Sequence, residues 1–82
     1  MIDRSILDSP TNVRFDDLVT LCSSYFGEPR IAGSHHIFKM PWPGDPRINL
    51  QRDGAKAKLY QVRQVQRAID RMGAENAKAR HQ

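Results

Sequence analysis

Two apolar stripes of helical period flank the middle of this chain, and neither can leave water without a surface to pack on. Phe15, Leu18, Val19, Cys22, Tyr25 and Phe26 recur at the intervals of one α-helical face. Leu59, Val62, Val65, Ile69 and Met72, with Ala68 alongside, repeat the pattern towards the other end. An isolated helix leaves such a stripe wet, so the residues between must form a surface shared by both. Asn12 is placed to cap the first helix, Asp16 and Asp17 suit the positive end of its dipole, and Gly27 stops it. Gly73 reads as the stop of the second.

The intervening residues read as strands. In "EPRIAG" Pro29 cannot continue a helix and pushes Glu28 towards extended geometry. Gly33-Ser34 forms a turn, after which His36, Phe38 and Met40 point one way and His35, Ile37 and Lys39 the other. "PWPGDP" is a rigid connection, in which Trp42 either stacks a base or covers one end of the core. "RINLQ" alternates again, with Ile48 and Leu50 on one face and Arg47, Asn49 and Gln51 on the other. The order helix, three strands, helix predicts an α+β two-layer sandwich. Its three-stranded antiparallel sheet carries both helices on one face and leaves the other polar and open. Residues 1–11 read as a flexible leader, with Ile6 and Leu7 able to clip onto the domain. Residues 12–73 form that domain, and 74–82 a tail that extends the helix or frays.

Composition narrows the function. One cysteine, Cys22, excludes an internal disulfide and a multi-cysteine zinc site, and a cytoplasmic location is expected. No apolar run is long enough to span a bilayer, and no signal-peptide core opens the chain. Charge is asymmetric: residues 1–33 hold three Lys/Arg against five Asp/Glu, whereas residues 34–82 hold ten against four. A polyanion such as RNA would sit on the basic half. Nothing in the sequence specifies an oligomer.

His35 and His36 are the candidate chemistry. Strand parity puts His36 on the core side and His35 on the open face with Lys39, near Arg47, Asn49 or Gln51. An imidazole there can take a proton from a ribose 2′-hydroxyl while cations hold the phosphate, and RNA brings its own nucleophile, so no cofactor or metal is required. Adjacent strand residues point apart, which argues against a two-histidine metal site. Lys56 and Lys58 open the second helix, where backbone N–H groups already attract anions. The plain alternative is a pair of histidines that simply meet water at a turn, with Arg63, Arg67 and Arg71 a solvated helix face.

"GSHHIFKMP", followed by a short third strand and the helix-opening "KAKLYQVRQVQRAI", resembles the HicA family of toxins from toxin–antitoxin pairs. The resemblance runs over residues 13–72. It implies a double-stranded-RNA-binding-domain-like fold, ribosome-independent endoribonuclease (mRNA interferase) activity, a bacterial or archaeal cytoplasm, and neutralisation by a HicB antitoxin covering the active face. The family's catalytic histidine falls on His35, the first after Gly33-Ser34, with His36 in reserve because some members align at the second position. Gly33 matches the family glycine that lets the strand start close against its neighbour. Lys39, Arg47, Lys56 and Lys58 are the expected RNA contacts. "PWPGDPR" replaces the family's short hairpin, and "RDGAKAKLYQ" stands where many members have a proline-rich basic stretch. Two other readings stand beside this one, a non-catalytic RNA-binding module of the same architecture and a degenerate toxin that only binds its antitoxin.

Overall fold

The first stripe becomes α1 (Phe15–Phe26), with Phe15, Leu18, Leu21 and Cys22 buried. The computed structural model describes residues 2–44 and 46–80, with side-chain surroundings described through residue 73. Asp16 and Asp17 lie in the first turn, and Gly27, at φ 86°, ends the helix by donating its N–H to the Ser23 carbonyl. Asn12 does not cap it. The helix starts after Arg14, and the Phe15 N–H is satisfied by the Ala55 carbonyl at 2.9 Å, so no side-chain cap is needed. The Asn12 amide oxygen instead accepts from Lys56 Nζ. The buried face is also rotated from the sequence stripe. Leu21 is enclosed while Tyr25 is 37% exposed, because both the sheet and the second helix press on α1.

Three strands follow, β1 (Arg30–Ala32), β2 (His35–Lys39) and β3 (Arg47–Gln51), in the antiparallel order β1-β2-β3. Gly33, at φ 61°, occupies the left-handed region that a two-residue turn between Ala32 and its partner His35 demands. The alternation is complete in β3 and holds in β2 from Phe38 onward, while His35, His36 and Ile37 are all half-buried. Phe38, Ile48 and Leu50 are buried, while Lys39, Arg47, Asn49 and Gln51 are exposed. The loop returns by a Met40 N–H to Pro46 carbonyl bond, and Trp42 sets its ring edge-on to Phe26 with Arg71 over its face. Trp42 therefore covers one end of the core rather than standing free.

α2 (Leu59–Arg80) supplies Val62, Val65, Ala68 and Ile69 to the same apolar cluster as Phe15, Leu18, Phe38, Ile48 and Leu50. Both helices thus cover one sheet face, and among the described residues no helix lies on the other. Each fully buried side chain of this set stabilises the fold by roughly 1.5–3 kcal/mol. Gly73 is not a stop: it lacks a positive φ, and the helix continues through "AENAKAR", residues that favour helix on their own. Residues 81 and 82 of the expected tail lie outside the described residues. Gln61 is buried within the stripe and donates its side-chain N–H to the Gln51 carbonyl at 3.2 Å, tying α2 to the end of β3.

The expected leader is structured. Arg4–Asp8 and Pro10–Asn12 form short 3-10 turns, Leu7 enters the core, and Ile2 and Ile6 pack against it. Asp3 caps the first turn at the Ser5 N–H, and hydrogen bonding from the Ser5 side chain, then from its backbone N–H, holds the Asp3 carboxyl below the ordinary value. Arg4 pairs with Asp70 of α2. These side chains close the side of the core that α1 and α2 leave open. Among the described residues no helix is long and apolar enough to cross a membrane.

Candidate functional site

The uncovered sheet face is ordered in rows by the strand register. Ala32, His35 and Gln51 form one row, Arg30, Ile37 and Asn49 the next, and Lys39 pairs with Arg47 beyond them. His35 stands here, half-buried, and its Nδ1 lies 3.0 Å from Asn49 Oδ1 across the diagonal. An amide oxygen only accepts, so in the neutral ring Nδ1 carries the hydrogen and Nε2 the lone pair. Asn49 fixes both the ring plane and the tautomer, the service a base-orienting partner performs in general acid–base sites. Its own amide N–H groups remain for a phosphate oxygen.

His36 faces the helix layer. Its ring meets Phe15 edge-on at 5.4 Å between centroids, and its Nδ1 is enclosed. Arg52 also lies over the Phe15 ring and pairs with Asp16. The Arg52 guanidinium holds the Asp16 carboxyl below the ordinary value. His36 is therefore wedged in packing where His35 is presented.

The expected cations separate into two groups. Lys39 and Arg47 share the open face with His35, but four residues along β2 put their row about 13 Å from it. They can hold a neighbouring phosphate of the same strand, not the one beside the imidazole. Lys56 and Lys58 precede α2, outside the sheet. Lys56 Nζ donates to Asn12 and Lys58 pairs with Asp53 at 3.2 Å, so both ammonium groups have protein partners. The Gly33-Ser34 turn sets the start of β2, with the Ser34 carbonyl accepting from the Arg52 N–H.

Arg30 is the functional candidate that sequence reading passed over. It is exposed on β1 in the row next to that of His35. The signal was present in "RIA": once this segment pairs with β2, Arg30 and Ala32 share the parity of Ile37 and His35. Phe26, Glu28, Arg30, Ile37, Lys39 and Arg47 line a cavity. Among the described residues no three His, Cys, Asp or Glu side chains gather as a metal ion would need. Cys22 is buried, and burial pushes its thiol up to about 12, which leaves it no nucleophilic part. Comparison with protein-family models, curated proteins and solved structures gave no match.

Proposed function

We propose that this chain is a metal-independent endoribonuclease of the HicA type, a cytoplasmic toxin that cleaves mRNA with His35 as general base and acid. One observation carries the reading: His35 stands on the uncovered sheet face with Nδ1 held by Asn49 and Nε2 left to accept a proton. The order of elements, with both helices behind a three-stranded sheet, agrees with the double-stranded-RNA-binding-domain-like arrangement that the resemblance implies.

The chemistry follows from that geometry. Nε2 takes the proton of a ribose 2′-hydroxyl, the 2′-oxygen bonds to the adjacent phosphorus, and the bond from phosphorus to the 5′-oxygen breaks. The leaving 5′-oxygen takes its proton from the imidazolium or from water. The products are a 2′,3′-cyclic phosphate and a 5′-hydroxyl. Arg30 and the Asn49 amide lie closest to stabilise charge on the phosphate, while Lys39 and Arg47 hold the strand further along. A HicB-like antitoxin laid over this face would cover the imidazole and the cations together.

The test is labelled RNA incubated with purified protein, parent against His35→Ala and His36→Ala, with EDTA present. The expected result is cleavage by the parent, none by His35→Ala at unchanged circular dichroism, and arrest of growth on expression of the parent alone. Cleavage by His35→Ala at the parental rate removes the assignment, and loss only in His36→Ala transfers it. A parent that binds RNA with a steep salt dependence yet leaves it intact is a binding module instead.

A further inference from the structure

The cavity beside the site has a chemistry that phosphate binding does not explain. Arg30, Lys39 and Arg47 come from three different strands and converge on it, which suits an anionic backbone. Its lining, however, includes Ile37, the one apolar side chain that β2 turns to this face, and the ring of Phe26. Glu28, an exposed carboxylate with no ion pair among the described residues, lines it as well. A site for phosphate alone has no use for an apolar lining and is weakened by a carboxylate. A flat base has use for both.

The cavity measures about 180 Å3. Sites for drug-sized ligands begin at roughly 300 Å3, so this one suits a single ring system lying against Ile37. Its centre row, that of Arg30 and Ile37, is about 7 Å along β2 from the row of His35. A nucleotide seated there is a near neighbour of the one whose phosphate meets the imidazole. The carboxylate then decides which base fits. A carboxylate only accepts, and accepts best from two parallel N–H donors. Guanine alone among the four RNA bases offers two adjacent donors on its Watson–Crick edge, the ring N–H and the amino group. Adenine, cytosine and uracil each place an acceptor beside their donor and would turn a lone pair towards Glu28.

We infer that this cavity seats the base of a nucleotide next to the scissile phosphate, with Glu28 selecting guanine there and the surrounding cations holding its backbone. The inference rests on the reading of His35 as the cleaving group and adds the sequence preference to it. Glu28 is exposed, so its substitution leaves the fold in place.

The experiment compares synthetic RNA strands that differ at one position near the cut, guanosine against inosine, which lacks only the amino donor. The parent should cut the guanosine strand at least about tenfold faster, the lower end of the worth of one hydrogen bond to a charged group, and in Glu28→Gln that ratio should fall towards one. A parent that cuts without preference, or a preference that survives Glu28→Gln, overturns the inference and leaves Glu28 as a counter-charge to its basic neighbours. Titration of guanosine and inosine monophosphates, followed at the Ile37 methyl groups, reads the same site without cleavage. If the parent cuts no RNA, His35 loses its role, and equal or absent binding of the two nucleotides removes the base site as well.

Discussion

Ile37 and Phe38 are neighbours in β2 whose side chains leave the strand on opposite sides, and replacing each by alanine tests whether the face that bears His35 is open. Phe38 is fully enclosed between the sheet and the helices. Removing its ring forfeits transfer free energy and leaves a cavity, about 3–5 kcal/mol in comparable cores. A chain of 82 residues has a total stability of roughly 4–12 kcal/mol, so Phe38→Ala takes a large part of it. At about 4–8 °C per kcal/mol in a domain of this size, the melting temperature should fall by at least about 12 °C. Ile37 is half-buried and no helix lies over it. Its three lost carbons are worth about 0.8 kcal/mol each only when fully buried. Water fills the space they leave, so no cavity term is added, and the expected cost is about 1 kcal/mol. Urea melts of both variants, read by circular dichroism at two protein concentrations, give the comparison. If Ile37→Ala costs as much as Phe38→Ala, something covers this face in the free protein, and the access argued for His35 is lost. A cost that grows with protein concentration would identify the cover as a second copy.

Three further outcomes are expected. Gly33→Ala should cost about 1–2 kcal/mol, because an added Cβ meets nothing within 4 Å and only the φ of 61° opposes it; Gly33→Asn should cost less, and a neutral Gly33→Ala would mean that the turn relaxes. Leu7→Ala should destabilise by about 2 kcal/mol, the low end for a core leucine near the edge of the cluster, and an unchanged urea midpoint would show that the N-terminal turns do not dock. Cys22 should resist alkylation in the folded protein at neutral pH. Burial raises its thiol from 9.0 to about 12, so its contribution is intact below pH 9 and is lost as pH rises towards 12; a melting temperature with the same pH slope in Cys22→Ala contradicts this.

The two helices, the three strands and the split of His35 from His36 were legible in residue patterning, because each rests on a local period that the backbone imposes. The misplaced details have tertiary causes. Asn12 lost its capping part because the Ala55 carbonyl reached the Phe15 N–H first. The leader acquired structure because Leu7 found an open side of the core, and Gly73 was carried through by the helix formers that follow it. Lys56 and Lys58, read as anion contacts, have Asn12 and Asp53 as neighbours that only the folded chain brings to them.

For the site itself, alternation along residues 35–39 was enough to put an imidazole on the polar side of a strand. It could not say which groups stand beside that imidazole, since neighbours across a sheet come from distant parts of the chain. Strand register brought Asn49 diagonally to His35, set Arg30 one row away and moved Lys39 and Arg47 two rows off. Register depends on the Gly33 turn and on which residues the helices bury, and a slip of one residue would send every side chain to the opposite face. The cavity that joins Glu28, Ile37 and Phe26 exists only once those choices are made.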